Sequence, residues 1–306
     1  MRKNVFSELL SDIIKNRKCE SADEIVKSKI TNFDENIMLE RFDIDNELKA
    51  KYYNKEIGTY QLLSIPSPIY LNKNEKLKIT HIFADILKSV IGKINVKDRV
   101  LVIGLGNRHI SADSLGTKVI KKINITFGKT FPKVMAFCPS VLGLTGMETY
   151  DIVSGIIDKV KPTHLIFIDS LCASSVDRLG KSMQVTNTGI CPGSGIGNNR
   201  KCLGKNLCKN VYSIGVPLLI YASTFLTENF DKNNINLSLL KSIMQNVKKL
   251  ENNNDISNFL SNLKNCMTES FDDTIVSVKD IEECVDVLAE IIGNAINIAI
   301  GVSELN

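Results

Sequence analysis

The stretch "VLVIGLGNRHISADSLGTKVI" (100–120) opens on an apolar run, turns through Gly104 and Gly106, and then takes up the pattern of a helix. Apolar residues without polar alternation mark a strand buried on both faces, as in a parallel sheet. The glycines suit a tight strand exit, because they reach backbone angles closed to other residues. Two nucleotide readings fail on spacing. The third glycine of a G-x-G-x-x-G loop would fall at His109, and no Gly-Lys-Ser/Thr follows for a phosphate loop. What remains is Asp113, a carboxylate at the end of the loop; read alone, an Asp before a helix is ordinarily an N-cap.

Working outward, "HLIFIDSL" (164–171) is a second near-continuous apolar strand, and it ends in Asp169. Further strands are expected at 99–104, 133–137, 183–186 and 211–220. Helices are expected at 79–94, 113–122 (opening with Asp113), 145–160 (capped by Thr145) and 279–299. The segment "GTYQLLSIPSP" (58–68) reads as a short strand stopped by Pro66 and Pro68. Strands separated by helices predict an α/β fold: a mainly parallel, mixed sheet with helices on both faces. Residues 1–40 read as polar and helical, and the Asn-rich 228–258 as a surface excursion. Without an internal repeat or a clean linker, one α/β domain with a detachable N-terminal segment is expected.

A chain of 306 residues with 43% hydrophobic content is ordinary for a globular protein, and a net charge of +4 with interleaved signs argues against direct nucleic-acid or membrane binding. No apolar run reaches membrane-spanning length, and charges interrupt any signal-peptide core, so a soluble intracellular protein is expected. The eight cysteines form no C-x-x-C pair, and Cys202 with Cys208 fits no standard zinc spacing. Reduced thiols are the expectation.

Asp169 changes the reading of Asp113. Open parallel sheets place ligands at the carboxyl ends of their strands. If the two strands are neighbours, both carboxylates face one crevice and titrate as a coupled pair, one protonated and one ionised. That is what general acid–base activation of water against an amide requires; a metal bridging the pair is the competing chemistry. The loop "NTGICPGSGIGNNR" (187–200) offers backbone N–H donors, and Gly193, Ser194, Gly195 and Gly197 are its candidate peptide-binding residues, against a plain surface loop. "CPSVLGLTGMET" (138–149) is another Gly/Pro loop, with Glu148 read as a partner of the following helix dipole. His109 lies in the candidate site loop, where a ligand or proton-shuttle role is open, and His164 reads as structural. There is no G-x-S-x-G elbow, and Cys172 has no evident histidine partner.

Together, "GLGNRHISADSLG", "TGMET", "IDSLCASSVDRL", "NTGICPGSGIGNNR" and "IGVP" resemble the germination proteases of spore-forming bacteria, in family order over about residues 40–300. The resemblance implies a fold similar to the hydrogenase-maturation peptidases. It also implies Asp113 and Asp169 as the catalytic pair, small acid-soluble spore proteins as substrates, and cleavage after acidic residues. It further implies a homotetramer in the cytoplasm of the developing spore, and neither a cofactor nor a resident metal is called for. The family is made as a self-cleaving zymogen. Here "RFDI" (41–44) matches its Arg-x-Asp-apolar motif, which implies a cut at Asp43–Ile44, a propeptide over 1–43 and a peptidase domain over 44–306. The chain departs from the family pattern at Ala112 (usually Pro), Cys191 (usually His) and Tyr221 (usually Asp). Three readings follow: an aspartate-dependent endopeptidase, a degenerate homologue that binds spore proteins without cutting them, and a metal-dependent maturation-type peptidase.

Overall fold

The apolar runs at 99–104 and 164–171 do become strands, and they are neighbours. In the computed structural model, which describes residues 7–16, 26–127, 131–191, 201–225 and 274–303, β4 (Arg99–Gly104) pairs in parallel with β6 (His164–Cys172) from Val100↔His164 to Gly104↔Ile168. β5 (Lys133–Phe137) adds in parallel outside β4, and β8 (Asn210–Tyr221) in parallel on the far side of β6. The rest is antiparallel: β8 is followed by β7 (Ser182–Thr186), β3 (Gly58–Ser64), β2 (Met38–Ile44) and β1 (Ser28–Asn32), while β9 (Ile275–Ser277) also pairs with β8. The α/β class is as expected, with the parallel strands grouped around the two aspartates.

Helices cover both faces of the parallel strands. On one side α3 (Lys73–Ile91), α4 (Leu115–Ile120) and the C-terminal helix α7 (Ile281–Ala299) bury Phe83, Leu87, Leu288 and Ile292 against Val100, Val102, Ile166 and Ile214. On the other, α6 (Thr149–Val160) sets Val153 and Ile157 on Leu101, Ile103, Leu165 and Phe167. This double burial is why β4 and β6 carry no polar alternation.

Several expected elements are corrected. Residues 28–44 form a hairpin, not a helix, turned where Asp34 Oδ1 accepts the N–H groups of Asn36 and Ile37, both at 2.8 Å. Its second strand alternates, burying Glu40, Phe42 and Ile44. Only α1 (Leu10–Asn16) is helical among the described residues before it, and α2 (Glu47–Tyr53) follows it. α3 starts six residues earlier than its apolar stripe suggests, because Asn72 and Glu75 close a capping box. Thr145 does not cap the helix expected at 145–160. It ends a short turn, α5 (Leu142–Thr145), and Gly146 at φ +70° breaks the chain before α6. Asp113 lies in a 3-10 turn, Ser111–Asp113, ahead of α4.

The antiparallel half is tied together by Arg178, which donates to Glu40 Oε2 at 2.8 Å and to Ser64 Oγ at 2.9 Å. Glu40 is buried. Arg178→Ala is expected to lower unfolding free energy by about 3–5 kcal/mol, because it strands a buried carboxylate. Urea unfolding of the variant checks this.

Candidate active site

β4 stops at Gly104 while β6 runs on to Cys172, so the last residues of β6, Asp169 to Cys172, have no partner on the β4 side of the ladder. Asp169 is the first of them. The residue is 7% exposed, and its Oδ1 accepts the N–H of Ser170 at 2.9 Å. The chain leaving β4 is held by the Leu105 N–H, which donates to the Ile168 carbonyl at 2.8 Å, and it turns at Gly106 with φ +105°. A side chain at Gly106 would run into the backbone of Asp113, so the loop closes on itself only with glycine there. Residues 107–110 lead back through the 3-10 turn to Asp113, whose Oδ2 accepts the Asn107 N–H at 2.8 Å.

The start of α4 lies directly on these strand ends. A Cβ at Gly116 would overlap the backbone of Leu105 and sit 2.7 Å from the Ile168 carbonyl, and one at Gly104 would strike the Gly116 carbonyl. The two glycines let helix and strands meet backbone to backbone, which fixes the turn that carries Asp113.

Electrostatics sets the two carboxylates apart. Burial raises Asp113 to about 6, with the Asn107 N–H opposing. Asp169 is driven well above the ordinary carboxylate range by burial first, then by the charges of Asp113 and Glu8. Both carboxyls therefore hold their protons more tightly than a free carboxylate does, Asp169 the more so because it also feels the charge of Asp113.

Among the described residues no three His, Cys, Asp or Glu side chains gather as a metal site would require. Gly193, Ser194, Gly195 and Gly197 lie outside the described residues. The loop that contains them is joined across its base: Cys191 and Cys202 form a disulfide, next to a two-way backbone bridge between Ile190 and Leu203 at 2.8 Å each way. This corrects the expectation of reduced thiols throughout. The bridge holds the two chain segments side by side, which puts the cysteines opposite one another with Cα atoms 4.1 Å apart. Cys138, Cys172, Cys208 and Cys284 are free.

His109 is exposed and engages Asn107 Oδ1 through its backbone N–H at 2.9 Å. His164 is structural: it is buried at the start of β6, contacts Thr163 Oγ1 at 2.9 Å and stacks on Tyr212, and burial lowers its pKa. Glu148 sits at the N-cap of α6 without a side-chain capping bond, while Asp151 is the acid of the first turn. Three groups were not foreseen: Glu8, Lys55 and the backbone of Cys172. The Glu8 N–H donates to the Cys172 carbonyl at 3.0 Å, the Cys172 N–H donates to Glu8 Oε2 at 2.8 Å, and Lys55 Nζ donates to the Glu8 carbonyl at 2.8 Å. Glu8 thus meets β6 at Cys172, past Asp169, while Leu9 and Leu10 run on over the antiparallel strands, where the Leu10 N–H donates to Gln184 Oε1 at 3.2 Å.

The family model described as "Germination protease" matches residues 7–251, most of the chain and both aspartates. The chain belongs to the germination protease family. It is 32% identical to the germination protease of Clostridium perfringens (strain SM101) over 94% of this chain and 92% of that one. It is 35% identical to the germination protease of Clostridium acetobutylicum over 89% and 88%. A NiFe hydrogenase maturation protease from Thermococcus kodakarensis aligns with 44% of this chain and 80% of its own, at 18% identity and a TM-score of 0.31, a likeness too slight to carry an argument. Among the described residues no helix is long and apolar enough to cross a membrane.

Proposed function

We propose that this germination-protease family member is an endopeptidase that degrades small acid-soluble spore proteins, cutting after acidic residues, with Asp169 as general acid and Asp113 as general base. The observation that carries the reading is the pair of buried carboxylates, Asp113 in the turn that follows β4 and Asp169 late in β6, raised unequally by burial and by each other. Asp113 takes a proton from water as it attacks the peptide carbonyl, and Asp169 gives one to the leaving amine. Work as a cytoplasmic homotetramer in the spore is part of the same proposal.

The same reading makes the chain a zymogen. Glu8 already occupies the edge beside Asp169, so residues before the mature domain must leave before substrate enters. The Asp43–Ile44 bond implied by the family motif lies in β2, four strands from β6 in the sheet order. At about 4.8 Å per strand that is roughly 19 Å, so cutting it needs β2 to leave the sheet. Glu8–Leu9 has the same acidic–apolar chemistry and lies at the edge itself, which supports it as the first bond presented.

Incubation of the full chain with a small acid-soluble spore protein, followed by mass spectrometry of both, tests the reading. Expected are substrate fragments ending in Glu or Asp and a new enzyme N-terminus at Leu9. A new N-terminus at Ile44 would instead support the 1–43 propeptide and the 44–306 domain, and an intact substrate beside an intact chain would favour the non-cutting homologue.

A further inference from the structure

β6 outruns β4, and both the N–H and the carbonyl of Cys172 face the side that β4 has vacated; the neighbouring Ala173 N–H instead turns to the Leu219 carbonyl of β8, at 2.9 Å. An unpaired edge of this kind is where an extended peptide adds to a sheet, with backbone bonds supplying affinity and side-chain contacts supplying selectivity. The chain's own Glu8, in a bend rather than a paired strand, meets it with one backbone bond and its side chain. Its N–H and its carboxylate both engage Cys172, and its carbonyl is taken by Lys55.

Lys55 is placed for this by its surroundings. It follows Asn54, which ends α2 in the left-handed conformation at φ 52°, and its own N–H donates to the Ala50 carbonyl at 3.0 Å. The next residue, Glu56, accepts the Gly189 N–H at 3.3 Å, and its carbonyl accepts the Tyr60 hydroxyl at 2.9 Å. The turn is therefore braced on β3 and on the segment entering the glycine-rich loop. Burial lowers the Lys55 ammonium pKa, with Glu8 opposing. A desolvated cation is a stronger partner for a carbonyl oxygen than one in water.

We propose that the free edge of β6 at Cys172, together with Lys55, is the subsite for the acidic residue that precedes the cut bond. The Cys172 N–H binds its carboxylate and Lys55 holds its carbonyl. The ligand class is an acidic–apolar peptide strand, and Glu8–Leu9 is its built-in occupant. The proposal rests on the peptidase reading above and adds two residues to it.

The test pairs two synthetic peptides, identical except for Glu or Gln before the cut bond, with the self-processed enzyme and its Lys55→Met and Lys55→Arg variants. For the wild type, the Gln peptide is expected to fall about 10- to 100-fold in kcat/KM, the worth of a hydrogen bond to a charged group. Lys55→Met is expected to lose a similar factor on the Glu peptide, and Lys55→Arg to recover part of it. Full activity of Lys55→Met once the N-terminal segment has gone would make Lys55 a pin for that segment alone and overturn the proposal. Equal cleavage of the two peptides by wild type would overturn it too, and that readout stands even if the Met variant does not fold. Loss of cleavage in Asp113→Asn with unchanged Lys55→Met would leave the peptidase reading intact and remove only the subsite; failure of wild type to cut either peptide would remove both.

Discussion

Asp113→Asn is expected to raise stability at neutral pH by about 1–3 kcal/mol, a shift of the size that about two pKa units carry, while cleavage falls by about a hundred- to ten-thousandfold. The sign follows from the raised pKa. In the unfolded chain Asp113 ionises near its ordinary value of 3.8, whereas in the folded chain it does so at about 6. Between those values the folded state binds more protons than the unfolded one, so stability falls as pH rises through the window and stays reduced above it. Asn cannot ionise, and its amide oxygen still accepts the Asn107 N–H. The gain should therefore be absent near pH 4, grow to about pH 6 and then level off. Asp169→Asn should behave in the same direction over a window that extends higher, because Asp169 is raised further. Thermal unfolding of the two variants and wild type between pH 4 and 8 checks this. A stability loss in both would mean that the carboxylates serve the fold, not the chemistry.

Gly116→Ala is expected to do the reverse, weakening fold and activity together. Its Cβ has no space against the Leu105 backbone and the Ile168 carbonyl, and backbone cannot step aside as a side-chain tip can. The helix start must lift from the strand ends, at about 3 kcal/mol for forced overpacking. Asp113 lies just ahead of that helix, and a displacement of even an ångström at a reacting group costs about a hundredfold in rate. Gly143→Ala is the control, since a Cβ there meets nothing within 4 Å. Urea unfolding and peptide cleavage on both variants decide it, and a Gly116→Ala protein as stable and active as Gly143→Ala would show that the close approach is not needed.

The parallel centre of the fold was legible because β4 and β6 are buried on both faces, and such strands announce themselves as unbroken apolar runs. The place of Asp169 late in β6 was legible for the same reason, whereas Asp113 lies in a 3-10 turn well past the end of β4, where no apolar run marks it. The hairpin at 28–44 was not, because β1 is exposed along its whole length and only alternate residues of β2 are buried. The break at Gly146 was hidden by an apolar period that continues across it. The disulfide depends on a bridge between residues 190 and 203, a contact that no cysteine spacing encodes. Lys55 and Glu8 were missed because their meeting joins the N-terminus, the end of α2 and the edge of β6, and each residue alone reads as solvated surface.

In the proposed reaction Asp113 and Asp169 together cut peptides. Its most direct test is an intact-mass time course of a small acid-soluble spore protein incubated with wild type, Asp113→Asn and Asp169→Asn at equal concentration. Fragments ending in acidic residues are expected with wild type and none with either variant over the same interval. Fragments accumulating at the wild-type rate in either variant would contradict it.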